Sequence, residues 1–207
     1  MTPESLVQRS KEWYEFRAGK CTASRICDVL AMTKNGPGAA RAKYFRQLVA
    51  ERITGKPINK PVRSLDRRVE LEPDARAAYE FYYGNSIVEV GFIPHPSISN
   101  AGCSPDGLIG NEGMLEVKAL DSDTHLELIE SNIIDKGYAE QIQFQMACSG
   151  RQWVDFAAFN PDMPEEHRLY VQRVSRDEHA IGRIEGAVKD FLAEVDERVR
   201  KLTKDQG

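Results

Sequence analysis

Asp106, Glu116 and Lys118 place two carboxylates and an ammonium within the stretch CSPDGLIGNEGMLEVKAL, residues 103–120. Glu116 and Lys118 are two apart, so a strand would point both to one face and Val117 to the other. The GNEG turn at 110–113 would return the chain and set Asp106 beside Glu116. Two ionised carboxylates at one point repel each other. A hard divalent cation such as Mg²⁺ removes that cost and takes oxygen ligands. A neighbouring ammonium would orient a water or stabilise charge developing on a phosphate. The same stretch also reads as an ordinary hairpin. Pro-Asp-Gly is a turn signal, and Glu116 and Lys118 would then be exposed strand residues. A PD…ExK spacing alone does not separate the two readings. A calcium loop is a poorer fit, because the alternating oxygen ligands of such a loop are missing.

Four more segments bear on the choice. Glu72, in ELEPDAR, is a further carboxylate on a preceding helix. Gln141 and Gln143, in EQIQFQM, interrupt an otherwise apolar helical pattern and could face the same site; a solvated helix edge would explain one of them. Arg17 precedes GKCTAS, and a helix starting near Thr22 would offer free N–H groups to an anion. Arg17 and Ser24 would complete a phosphate pocket, although singly each reads as a surface residue.

These residues need elements to position them. Helices are expected over 5–17, over TASRICDVLAM with Thr22 as cap, and over 41–55 with Tyr44, Leu48, Val49 and Ile53 on one face. Segment 64–83 reads as a helix that Pro73 kinks or divides. Strands are expected at 86–95, into Cys103, at 114–120, at 152–159 and at 167–174. A helix over 138–150 ends at Gly150. Ser175 and Glu178 suggest a capping box opening a long amphipathic helix, about 176–203. The sum is an α/β domain: a central mixed sheet flanked by helices, with a helical basic front portion (about 1–83) packed on it. One domain over 1–207 is expected.

Composition narrows the class. No apolar run approaches the roughly 20 residues of a membrane span, and the N-terminus lacks a signal-peptide pattern. The four cysteines form no CxxC pair and the four histidines have no zinc-ligand spacing, so reduced thiols in a cytosolic protein are expected. Net charge is −4, yet residues 1–68 carry 15 Lys and Arg against 6 Asp and Glu. The remainder is correspondingly acidic. Such asymmetry fits one basic surface facing an anion, or simply solvated helix faces.

Taken in order, WYEFRAGKCTAS, LEPDAR, CSPDGLIGNEGMLEVK and YAEQIQFQM resemble the phage lambda exonuclease family of viral recombination nucleases (YqaJ-type), within the PD-(D/E)xK superfamily. The resemblance runs from about Trp13 past residue 150. It implies a restriction-endonuclease-like fold with Asp106, Glu116 and the Val117 carbonyl as metal ligands. It implies Glu72 at a second Mg²⁺ (Mn²⁺ as possible substitute), Lys118 as catalytic lysine and Gln141 beside the active-site phosphate. Arg17, Ser24 and Ser104 match a 5′-phosphate pocket. Leu65 falls at an apolar wedge between terminal base pairs, and reads equally as a core leucine. The chain departs from the family at ALDSDTH after the lysine, where the lambda enzyme is more basic. Lys34 in the KNGPG loop would then touch the duplex backbone instead. The implied activity is 5′-to-3′ digestion of one strand of linear duplex DNA, leaving 5′-mononucleotides and a 3′ overhang. A homotrimer ring, a single-strand annealing partner and a bacterial cytoplasm, phage or prophage encoded, are implied with it. Other readings are a structure- or site-specific endonuclease of the same superfamily, or a non-catalytic DNA-binding recombination scaffold.

Overall fold

The computed structural model describes residues 2–58 and 67–204. Its helices are α1 (Lys11–Arg17), α2 (Ile26–Val29), α3 (Ala39–Thr54), α4 (Arg67–Glu70), α5 (Glu72–Tyr83), α6 (Ser122–Ser131), α7 (Lys136–Ser149) and α8 (Glu178–Lys204). Its strands are β1 (Cys21–Thr22), β2 (Met32–Thr33), β3 (Gly36–Pro37), β4 (Ile87–Val88), β5 (Ile93–Pro94), β6 (Ala101–Cys103), β7 (Gly107–Ile109), β8 (Gly113–Ala119), β9 (Trp153–Phe159) and β10 (Leu169–Ser175). The main sheet runs β10-β9-β8-β7-β4, with β8 and β9 parallel and the other pairs antiparallel. A smaller sheet runs β1-β6-β5.

β8 is the centre of the main sheet and its alternation sorts the core. Met114 joins a cluster with Phe144 of α7, Tyr44 and Leu48 of α3, and Ile184, Val188 and Phe191 of α8. Leu115 and Val117 join the opposite cluster with Ala75 and Tyr79 of α5. Glu116 and Lys118 therefore share the α7 face, as strand periodicity requires. The hairpin before β8 closes through residues 110–112, with Ile109 opposite Gly113. Gly110 adopts φ +49°, a left-handed angle that glycine takes without strain. A side chain at Gly113 would run into the Trp153 ring, 2.2 Å away.

A buried ionic cluster fixes α5 against the sheet. Asp155 of β9 is 2% exposed. It accepts from the Tyr79 hydroxyl at 2.6 Å and from Arg173 at 2.7 and 2.9 Å. Every oxygen of that carboxylate has a donor, the condition for tolerating a buried charge. On the other side α3 is tied to α8 by the bidentate Arg41–Glu194 pair, at 3.0 and 2.9 Å, and by Arg52–Asp196.

Several expectations are corrected. The helix expected from Thr22 is a 3-10 turn, Ala23–Arg25, followed by the four-residue α2; Thr22 makes no side-chain cap bond. The strand expected at 86–95 is two short strands in different sheets. Pro73 lies in the first turn of α5, where a missing N–H costs nothing, and the break comes earlier, at Leu71. Ile53 is exposed. The cap of α8 is Asp177, whose Oδ1 accepts from the N–H groups of His179 and Ala180 at 2.9 and 3.0 Å; Ser175 closes β10. α6 begins within ALDSDTH and runs on through Ser131, a helix the sequence reading did not expect. Among the described residues no helix is long and apolar enough to cross a membrane.

Candidate active site

The hairpin brings Asp106 to Glu116. Gly107 pairs with Leu115, so Asp106 falls one step beyond the β7 ladder, level with Glu116. There its Oδ2 accepts from the Val117 N–H at 2.7 Å, in place of a strand partner. A strand residue's N–H and C=O face the same neighbour, so the Val117 carbonyl opens on the Asp106 side.

Glu116 is 3% exposed and held by three donors. Its Oε1 accepts from Lys118 Nζ at 2.5 Å and Gln141 Nε2 at 2.6 Å, and its Oε2 from Gln145 Nε2 at 2.6 Å. Lys118 also reaches Gln141 Oε1 at 3.4 Å and lies 5.1 Å from the Tyr138 ring centre. Burial alone would lower the Lys118 pKa, but the Glu116 and Asp106 carboxylates outweigh it and hold the ammonium above its usual range. Lys118 is therefore a cation at any physiological pH.

Glu72, at the start of α5, faces the same cleft but is engaged by cations. Arg9 pairs with it, from a backbone position at φ +66°, and Arg76 lies 3.6 Å from it. Arg76 also donates to the Asp106 carbonyl at 3.2 Å. Asp106 has no such cation of its own. Burial, then Glu116, then Glu72 push its carboxyl well above the usual range, against the pull of Lys118 and the Val117 N–H.

The other half of the cleft is built on α1. Ser10 caps that helix by accepting from the Trp13 N–H at 3.1 Å. Trp13 and Arg17 are four apart and share a face, and the guanidinium lies 3.8 Å over the indole ring. Trp13 Nε1 donates to the Gly91 carbonyl at 2.9 Å and to Ser104 Oγ at 3.1 Å. β1 and β6 run parallel with Thr22 opposite Gly102, so Ser24 and Ser104 each follow by two residues and meet at one end. Among the described residues Arg17 has no acid partner, and burial pushes its pKa down to about 10. It stays charged at neutral pH with its desolvation uncompensated by a hydrogen-bonded anion.

All these side chains line one cleft of about 390 Å³: Arg17, Ser24, Glu72, Ser104, Asp106, Glu116, Lys118 and Gln141, with the Val117 backbone. Lys34 does not; it sits in the β2–β3 hairpin. Leu65 lies outside the described residues. Gln143 faces away, donating to the Ser175 carbonyl at 2.9 Å and accepting from the Asp177 N–H at 2.9 Å. Gln8, Arg9, Trp13, Tyr138 and Gln145 also line the cleft and were missed. For Gln145 the signal was present: it is one helical turn beyond Gln141. For Arg9 no local signal exists.

Among the described residues no group of three or more His, Cys, Asp and Glu side chains is arranged to hold a metal ion. Glu72 is turned to Arg9 and Arg76, which leaves Asp106 and Glu116 as the adjoining pair. That pair fits a hard cation by its chemistry: oxygen donors, and an Asp106 carboxylate to which no cation is bonded among the described residues.

The crowding of Asp106 has a measurable consequence. A carboxyl whose folded-state pKa is raised stabilises fully below its unfolded value, near 3.9, and loses that contribution as pH rises through the folded value. Asp106→Asn keeps the acceptor for Val117 and removes the charge. In chelator at pH 7–8 it should melt about 2–4 °C above the wild type, the shift that about 1 kcal/mol gives in a chain this size. The gap should narrow on acidification. Thermal denaturation followed by circular dichroism tests this; a variant melting at or below the wild type across that range would refute the repulsion.

The chain is similar to known exonucleases in sequence and fold. An alkaline exonuclease, LHK-Exo from Laribacter hongkongensis, has a structure 40% identical over 95% of this chain and 98% of its own, with a TM-score of 0.88. The same enzyme in complex with dAMP matches at 39% identity over 95% and 98%, also with a TM-score of 0.88. A phage related exonuclease from Haemophilus somnus 129PT shares the fold, at 13% identity over 88% and 96% with a TM-score of 0.66. A search of curated proteins gives no match. The expected PD-(D/E)xK-type fold is thus the fold of the chain. The YqaJ-like viral recombinase domain matches residues 12–152, more than half of the sequence, and the chain belongs to that family.

Proposed function

We propose that this chain is a Mg²⁺-dependent 5′-to-3′ exonuclease on linear double-stranded DNA, releasing 5′-mononucleotides and leaving a 3′ overhang for recombination by strand annealing. The observation that carries the reading is the cleft itself, with a carboxylate–lysine centre at one end and, at the other, Arg17, which has no acid partner among the described residues. The alkaline exonuclease relative, and its complex with a mononucleotide, support the same reaction class.

Asp106, Glu116 and the Val117 carbonyl would hold one Mg²⁺, and Glu72 would assist a second after releasing Arg9. Bound there, the ions supply charge neutralisation and an acidified water for in-line displacement at phosphorus. Lys118 keeps its proton and presents a fixed positive charge beside the reacting phosphate, positioning the attacking water. Gln141 bridges Lys118 and Glu116 and keeps both from turning away. Arg17, oriented by its stacking on Trp13, offers its N–H edge to a terminal phosphate. Ser104 accepts from Trp13, which leaves its own hydroxyl proton free to donate; Ser24 completes the cradle. A grip on the 5′ phosphate next to the reacting bond sets polarity, because each released nucleotide exposes a new 5′ phosphate to the same groups.

The test compares linear duplex with 5′-phosphate, linear duplex with 5′-hydroxyl and closed circles, each with Mg²⁺ or chelator. Wild type should digest linear ends only, favour the phosphate and stop in chelator. Cutting of circles would support an endonuclease, and no metal-dependent digestion would support a scaffold. Lys118→Ala should lose roughly 10²-fold or more in rate with its fold intact. Arg17→Ala should lose the preference for phosphorylated ends; an unchanged preference would dissolve that assignment.

The enzyme is further expected to act as a ring-shaped homotrimer threaded by duplex, in the host cytoplasm and alongside a single-strand annealing protein. Support for the ring is the charge asymmetry: a basic front portion for a channel and an acidic remainder for the exterior. Sedimentation at micromolar concentration should give three times the 23.3 kDa chain mass; a monomer would count against the ring.

A further inference from the structure

We propose that Gln145 is a positioning residue for the cation site, fixing the second oxygen of Glu116 while Gln141 and Lys118 fix the first. The inference rests on the nuclease reading and assigns a residue that the family motifs did not single out.

Glutamines stand at 141, 143 and 145 of α7, all buried. The middle one turns to the start of α8. The outer two are one helical turn apart and meet Glu116 from the same face, each at 2.6 Å. Gln145 is 1% exposed, between Phe144 and Met146 at 0%. A packing role there would favour an apolar side chain, since burying an amide costs free energy unless it is bonded. A carboxylate only accepts, so the Gln145 amide nitrogen must face Glu116. That fixes the other end: Oε1 is buried in the cleft wall with no donor among the described residues.

The consequence is specific. With both Glu116 oxygens gripped, the carboxylate plane is set before a cation arrives. Without Gln145, Oε2 is released and the plane can rotate about the Lys118–Gln141 side. Groups that orient a metal ligand typically change metal affinity by roughly 10- to 100-fold when removed.

Gln145→Met keeps the volume and removes the amide. Calorimetric titration of the DNA-free protein with Mg²⁺ should show affinity weakened by roughly 10-fold or more. The Mg²⁺ concentration for half-maximal digestion should rise by a similar factor, while the rate at saturating Mg²⁺ recovers towards wild type. The melting temperature in chelator should stay within a few degrees. Gln145→Asn, one methylene short, should show a smaller loss in the same titration and serves if the Met variant does not fold. Wild-type Mg²⁺ affinity in the variants, beside a wild type that digests linear DNA, would overturn this role alone. A wild type that neither binds Mg²⁺ nor digests DNA would overturn the nuclease reading, and this role with it.

Discussion

A buried carboxylate must be matched by donors, and the structure is organised around matching Glu116. Its partners come from its own strand and from α7, so β8 and α7 must meet at one register. That register is set by packing on the same face: Met114, Phe144, Phe156 and Ile142 fill the core beside the charged pair. On the opposite face Leu115 and Val117 pack on α5, which the buried Asp155 cluster holds in place. Polar grip and apolar packing thus specify the same alignment.

The cleft divides by charge. At one end Asp106, Glu116 and Glu72 crowd together; Lys118 bonds Glu116, Arg9 and Arg76 engage Glu72, and no cation bonds the Asp106 carboxylate among the described residues. At the other end Arg17 is a cation with no acid partner among the described residues. Neither end is electrostatically complete. The Asp106 carboxylate is bonded only by the Val117 N–H, and Arg17 has no acid partner among the described residues, so a substrate phosphate with its counter-cations would complete both. Trp13 holds the two ends at a fixed spacing, since it stacks on Arg17 and bonds to Ser104, two residues from Asp106.

How much was legible follows from the range of each interaction. Strand alternation is local, so the shared face of Glu116 and Lys118 was readable, as was the return of the hairpin to Asp106. The long amphipathic helix is readable from its period, although its cap is Asp177 rather than Ser175, because the Asp177 carboxylate is the group that reaches the His179 and Ala180 N–H groups. What could not be read depends on tertiary geometry. Arg9 reaches Glu72 across 63 residues through a left-handed backbone. Gln143 and Gln145 differ in role only because α7 is covered on all sides, by β8 on one and the start of α8 on another. The segment 86–95 looks like one strand, but its two halves pair in different sheets.

The α3–α8 ties carry an implication for how the protein comes into being. Arg41 and Glu194 are 153 positions apart, and Tyr44 and Leu48 share a cluster with Val188 and Phe191. During synthesis the front of the chain emerges long before its partner helix does. Until α8 follows, the faces of α2, α3 and α7 that it packs on stay uncovered and the core cannot close. A nascent chain lacking α8 would thus expose an apolar face that a chaperone could recognise. Competence for chemistry would then arrive late, as a property of the finished polypeptide rather than of its growing N-terminal part.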